Sequence, residues 1–210
     1  MLLPKLYPIT DRRLSGLSHA EQVARLAAGG ATLVQLREKH LSPRDFYDEA
    51  LAALREARAR GVRLIVNDRV DIALALGADG VHLGQDDLAP EAARRLLGRK
   101  AIIGFSTHNP EQAREAALLP VDYIAIGPIY ATASKEKPDP TVGLSGLRRV
   151  RQEVIAAGSI PLVAIGGITA ANASAVVEAG ADAVAMIGAL VARPAEIEDR
   201  TRALILSFQP

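Results

Sequence analysis

Short runs of β-branched and aliphatic residues alternate along this chain with longer stretches in which apolar side chains recur at helical spacing. The short runs predict strands at residues 5–10, 32–38, 63–68, 80–83, 101–106, 123–129, 161–166 and 183–187. The longer stretches predict helices at residues 19–28, 43–60, 70–76, 90–97, 110–118, 144–157, 171–179 and 194–208. Boundary residues agree with this division. Ser42-Pro43 and Asn109-Pro110 put a capping side chain before a proline, which has no amide to lose at the first helical position. Gly29-Gly30, Gly61, Gly77, Gly98, Gly158 and Gly180 stand where helices are expected to end in a left-handed residue.

Eight strand–helix units in 210 residues leave roughly 26 residues each, near the minimum for a (β/α)8 TIM barrel. The expected architecture is therefore one α/β barrel domain spanning 1–210, with no residues left for a second domain. An open doubly wound sheet is the rival, but it usually has fewer strands and often carries a Gly-rich dinucleotide turn, and no GxGxxG occurs here. In a barrel the C-terminal ends of the strands converge on one face, so chemistry is expected there.

Composition narrows the function classes. The net charge is +1 and Phe plus Tyr are few (3 and 4, with no Trp), which argues against both a basic nucleic-acid footprint and base-stacking platforms. The absence of Cys removes disulfides, thiolate nucleophiles and cysteine-ligated metals, and a reducing cytoplasm fits. No apolar leader is legible, because Pro4 and Lys5 interrupt the opening and Asp11, Arg12 and Arg13 follow. The uncharged stretch 154–177 is divided by Pro161, Gly166-Gly167 and Asn172, so it reads as core strand, turn and helix, with no membrane partner implied.

The candidate chemistry lies at strand ends. Gln35, Arg37 and Lys39 are spaced by two and share one face, while Val34, Leu36 and Glu38 share the other, which suits packing against outer helices. A Gln and two cations thus point toward the barrel mouth. Unpaired, they would be costly to bury, so carboxylates or an anionic ligand must meet them. Asn67-Asp68 closes the third strand and Gln85-Asp86-Asp87 follows the fourth. Singly, each Asp reads as a helix N-cap, Asp68 and Asp86 included; together, beside cations, they suggest Mg2+ bound with a diphosphate, since Mg2+ takes one or two carboxylates plus water and phosphate oxygens.

Ser106 ends the fifth strand, and Thr132, Ser134 and Lys135 follow the sixth, a hydroxyl and ammonium cluster suited to phosphate oxygens. Residues 136–142, with two prolines and three charges, read either as a lid or as a solvated loop. Gly167 and Gly188, after the seventh and eighth strands, permit backbone approach to a phosphate, or simply turn the chain. His19 and His40 fall at connections and His82 alternates with Val81 and Leu83 in a strand, a structural placement; no metal-spaced His pair and no Ser–His–Asp arrangement is visible.

These residues carry a family resemblance. Tyr7-Pro8-Ile9-Thr10-Asp11, Gln35-Leu36-Arg37-Glu38-Lys39, Asn67-Asp68, Val81-His82-Leu83-Gly84-Gln85-Asp86-Asp87, Gly104-Phe105-Ser106-Thr107, Gly127-Pro128-Ile129 with Thr132 to Lys135, and Ala164-Ile165-Gly166-Gly167-Ile168 occur in order over nearly the whole chain. In these the chain resembles the thiamine-phosphate synthase (thiamine-phosphate pyrophosphorylase) family. The resemblance implies a transferase that joins an aminopyrimidine-methyl diphosphate to a thiazole phosphate, carboxylated or not, through a resonance-stabilised cation. It implies that Gln35, Arg37, Lys39, Asn67, Ser106 and Lys135 hold the pyrimidine diphosphate, with Arg37, Lys39, Ser106 and Lys135 catalytic. Asp68 and Asp87 would bind Mg2+, and Thr132, Ser134, Gly167, Ile187 and Gly188 would hold the thiazole phosphate.

Two positions depart from the family pattern: Ser134 replaces the usual Thr and keeps a hydroxyl, and Gly188 replaces the usual Ser and loses a side-chain contact. A thiazole tautomerase shares this barrel but tends to lack the Asn-Asp pair and the full Gln-x-Arg-x-Lys, and has His in place of Pro128. Asn67, Asp68, Arg37, Lys39 and Pro128 favour the synthase. A non-catalytic barrel that binds thiazole phosphate would have no use for two carboxylates facing a diphosphate.

Overall fold

A computed structural model of the protein describes residues 3–132 and 140–209. Eight parallel strands close into a barrel in chain order: β1 (Leu6–Thr10), β2 (Leu33–Leu36), β3 (Arg63–Asn67), β4 (Gly80–Leu83), β5 (Ile102–Thr107), β6 (Tyr123–Ile126), β7 (Leu162–Ile165) and β8 (Ala183–Met186). Around them lie α1 (Arg12–Ser15), α2 (His19–Ala28), α3 (Pro43–Ala59), α4 (Val70–Leu76), α5 (Pro90–Leu97), α6 (Pro110–Ala116), α7 (Gly143–Ala157), α8 (Ala173–Glu178), α9 (Gly188–Val191) and α10 (Ile197–Ser207). The fold is the expected (β/α)8 barrel. The apolar stretch 154–177 is divided as expected into the end of α7, β7 and the start of α8, and among the described residues no helix is long and apolar enough to cross a membrane.

Strand alternation sorts the core into two shells. Val34, Leu36, Leu64, Val66, Val81, Ile103, Ile124 and Ala164 pack outward with the helices. Tyr7, Ile9, Leu33, Ile65, Tyr123, Ala125, Val163 and Ala185 fill the interior. At the N-terminal end of the barrel one device recurs: Asp79, Asp122 and Asp182, each just before an even-numbered strand, accept the amides of Leu64, Ile103 and Leu162 at 2.8 Å. Arg94 of α5 and Arg151 of α7 bind the second and third of these at 2.6 and 2.8 Å. Each carboxylate thus ties an incoming strand to the preceding one on the face remote from the strand ends.

The differences from the sequence-based boundaries are local. β2 stops at Leu36 and β6 at Ile126, short of the predicted ends, because the residues beyond them leave the ladder to form the mouth. Two single-turn helices, α1 and α9, are too short for a periodic signal. The last predicted helix is a 3-10 turn, Pro194–Glu196, followed by α10.

Candidate active site

Four consecutive strands put polar groups on the barrel interior near its C-terminal end: Gln35 from β2, Asn67 from β3, His82 from β4 and Ser106 from β5. The first three are buried and the last is half-buried. Nearest the mouth, the inner positions of the remaining strands are apolar: Ile9, Ala125, Ile165, Ala185 and, just past β8, Ile187. The floor of the mouth is therefore polar on one side and greasy on the other.

A continuous hydrogen-bond chain runs through the polar side. Gln35 Nε2 donates to Tyr7 Oη at 3.3 Å, the Tyr7 and Tyr123 hydroxyls lie 2.9 Å apart, Tyr123 Oη lies 2.9 Å from His82 Nδ1, and His82 Nε2 lies 2.8 Å from Ser106 Oγ. An amide NH2 only donates, so Tyr7 Oη accepts from Gln35; at the hydroxyl and imidazole links that follow either neighbour can carry the proton, so the chain can supply Ser106 with a donor or an acceptor. Burial pushes Tyr7 up to about 12 and Tyr123 well above its ordinary value, so both phenols stay neutral and bond through dipoles. Tyr123 fits only because Gly104 has no side chain: a Cβ there would lie 2.0 Å from the Tyr123 Cζ atom.

Above this floor sit the charges. Arg37 Nη1 meets Asp11 Oδ2 at 3.0 Å, and Lys39 Nζ bonds Asp68 Oδ2. Both cations lie beyond β2, so their reach to the mouth comes from the loop and not from strand alternation, which corrects that part of the sequence reading. Glu38, by contrast, follows Val34 and Leu36 outward as read: its carboxyl turns onto His19, the first residue of the outer helix α2. Asp68 caps nothing; Arg69 occupies the N-cap position of α4, while Asp68 itself adopts φ 62°, a left-handed conformation unusual outside glycine. Strain of this kind is held in place by its surroundings and is common at functional sites.

Asp87 accepts the Gly84 amide at 2.7 Å. Its carboxyl is held above the ordinary range first by burial, with the neighbouring Asp68 adding to the effect, while the Gly84 amide and Lys39 pull the other way. Asp86 is exposed and caps no helix, since Ala89 precedes α5. The two carboxylates expected to share a metal therefore adjoin, with Lys39 as their counterion.

The remaining described candidates follow β6, β7 and β8. Ile129 and Tyr130 donate their amides to Ile165 and Gly166 at 2.9 and 3.0 Å, laying the segment after β6 on the end of β7. Gly167, at φ 64°, allows this: a Cβ there would lie 2.6 Å from the Ala131 carbonyl oxygen. Ile187 is the N-cap of α9 and Gly188 its first residue, and among the described residues no atom beyond its chain neighbours and its own helix lies within 4 Å of where a Gly188 Cβ would stand. Thr132 is half-buried. Ser134, Lys135 and the part of the proposed lid at residues 136–139 lie outside the described residues.

Sequence reasoning missed Tyr7, Tyr123 and Asp11, and treated His82 and His19 only as structural or connecting. A usable signal was present: Tyr7, Gln35, His82 and Tyr123 all fall on the inward phase of their strands, where a closed barrel should be apolar.

The chain was compared with known proteins. A family model described as thiamine monophosphate synthase matches residues 6–190. A thiamine-phosphate synthase of Chloroflexus aurantiacus is 51% identical over 189 residues, covering 90% of this chain and 85% of that one. Another, of Koribacter versatilis, is 49% identical over 199 residues, covering 91% of each. The solved thiamine phosphate pyrophosphorylase of Pyrococcus furiosus superposes with a TM-score of 0.84 at 35% identity, covering 97% of this chain and 96% of that one. With a family model matched over most of its length and relatives about half identical, this chain belongs to the thiamine monophosphate synthase family.

Proposed function

We propose that the chain carries out its family's transfer as an Mg2+-dependent condensation of an aminopyrimidine-methyl diphosphate with a thiazole phosphate, releasing diphosphate. The observation that carries this reading is the pair Asp68 and Asp87 at the mouth, with Lys39 and Arg37 beside them. Among the described residues no group of three or more His, Cys, Asp or Glu is arranged to hold a metal ion. Two adjoining carboxylates, with the remaining positions left to water and phosphate oxygens, fit Mg2+ better than a metal that needs a closed protein cage.

In this reading the polar floor of Gln35, Asn67 and His82 meets the hydrogen-bonding edge of the aminopyrimidine, and Ile165 and Ile187 cover its face. Ser106 donates its O–H to the diphosphate. When bound, Mg2+ would neutralise the diphosphate oxygens as the leaving group departs. Arg37, Lys39 and Lys135 hold the anion as the bond from methylene carbon to oxygen breaks and the electron pair leaves with the diphosphate. The thiazole nitrogen then supplies its lone pair to that carbon. Thr132, Ser134 and the backbone at Gly167, Ile187 and Gly188 hold the thiazole phosphate. The enzyme acts on small molecules, as one domain, in the cytoplasm.

The test is turnover by purified protein with both substrates and Mg2+. Thiamine phosphate and diphosphate should form in equal amounts, and omission of either substrate or of Mg2+ should stop both. Aromatisation of a thiazole phosphate without diphosphate release would instead identify the tautomerase chemistry.

A further inference from the structure

From Arg37 to Ser42 the chain has left the β2 ladder and not yet entered α3, so no regular structure fixes it. This segment nevertheless has to aim two cationic side chains. Three of its amides, those of Arg37, Lys39 and His40, are met by a connected set of side chains. The Arg37 amide donates to Thr10 Oγ1 at 3.3 Å, Thr10 Oγ1 lies 2.8 Å from His19 Nδ1, and His19 Nε2 lies 3.4 Å from Glu38 Oε2. Glu38 Oε1 then accepts the amides of Lys39 and His40, each at 2.8 Å.

Donor chemistry assigns the protons. A carboxylate only accepts, so His19 donates through Nε2, its Nδ1 accepts the Thr10 hydroxyl proton, and the Thr10 oxygen is left to accept the Arg37 amide. The His19 side chain is fully buried and that of Glu38 only 7% exposed, which shields these bonds from water. Burial keeps His19 below its ordinary pKa and hence neutral. Burial disfavours the Glu38 carboxylate, but the two amides and His19 hold it ionised. Glu38 also borders a cavity of about 410 Å3 lined by Arg12, Arg13 and His40, yet both its oxygens are already engaged by the clamp.

We infer that His19 and Glu38, acting through Thr10, are positioning residues that hold the backbone at Arg37, Lys39 and His40 so that the two cations converge on the diphosphate. The inference rests on the diphosphate reading above. Its signature is a matter of sign. Glu38 is an anion between two residues that bind an anion, so by charge alone Glu38→Ala would tighten diphosphate binding. Loss of positioning loosens it.

The experiment is calorimetric titration of the full-length enzyme with inorganic diphosphate in Mg2+, alongside steady-state kinetics, for wild type, Glu38→Ala, Glu38→Gln and Thr10→Val. Glu38→Ala should weaken diphosphate binding and raise KM for the pyrimidine diphosphate by roughly tenfold, the low end for loss of a residue that orients binding groups. KM for the thiazole phosphate should stay within about twofold, since that substrate is held elsewhere. Glu38→Gln, whose amide oxygen still accepts from Lys39 and His40, should recover most of the loss. Thr10→Val should weaken binding by about fivefold, the equivalent of one ordinary hydrogen bond.

Equal or tighter diphosphate binding by Glu38→Ala overturns the inference, as does an equal rise in both KM values. If Glu38→Ala does not fold, Thr10→Val decides by the same readouts. A wild type that binds no diphosphate in Mg2+ would overturn the diphosphate reading itself, whereas a wild type that binds and variants that bind as well would overturn the positioning role alone.

Discussion

Replacing Tyr123 with Phe isolates the hydrogen-bond chain beneath the site. The substitution keeps the ring, which is fully buried and meets Tyr7 edge-on with centroids 5.8 Å apart. It removes only the hydroxyl and its bonds to Tyr7 and His82, each 2.9 Å. At about 1 kcal/mol net per bond the loss is about 2 kcal/mol. For a domain of this size that lowers Tm by roughly 4 to 8 °C, readable by circular dichroism. Tyr7→Phe removes the shared bond and the one from Gln35. The double variant should therefore fall short of the sum of the singles by about 1 kcal/mol, the coupling expected of two residues in direct contact. A Tm for Tyr123→Phe within about 1 °C of wild type, or strict additivity in the cycle, would refute the chain as a stabilising network.

Other expectations concern metal, phosphate and pH. Asp87→Ala should lower kcat by at least about a hundredfold with Tm little changed, because a group that acts only on the reacting charge contributes mainly to the transition state; undiminished turnover would remove Asp87 from the metal site. Gly188→Ser should fold normally, since the space for its Cβ is open, and should lower KM for the thiazole phosphate by up to about tenfold if the new hydroxyl reaches a phosphate oxygen. Burial holds His19 below its ordinary pKa, partly offset by Glu38 and Glu49. The unfolded chain takes up a proton near pH 6.5 that the native state refuses, so stability present above that pH is lost as pH falls toward the folded value. Chemical denaturation of wild type between pH 7 and pH 5 should show this decline, and His19→Gln should show less of it; parallel profiles would exclude His19 as the source.

Much of this protein is legible in its sequence because the responsible forces are local. The helices at His19–Ala28, Val70–Leu76 and Pro90–Leu97 occupy the predicted residues, since caps, prolines and terminal glycines act over one turn. The barrel follows from the count and brevity of its units. The inward aim of Gln35, with Asn67, Asp68, Asp87 and Ser106 at strand ends, follows from strand alternation and from the convergence that closure imposes. What needed the tertiary structure is whatever depends on which groups meet across the barrel. The partnership of Lys39 with Asp68 and of Arg37 with Asp11, the chain from Gln35 to Ser106 across Gly104, and the turn of Glu38 onto His19 join residues 19 to 116 positions apart, and the left-handed backbone of Asp68 is likewise set by its surroundings. No periodicity encodes such pairs. They are settled by the free energy of leaving a buried donor or acceptor unmet, and that quantity exists only once the chain has closed.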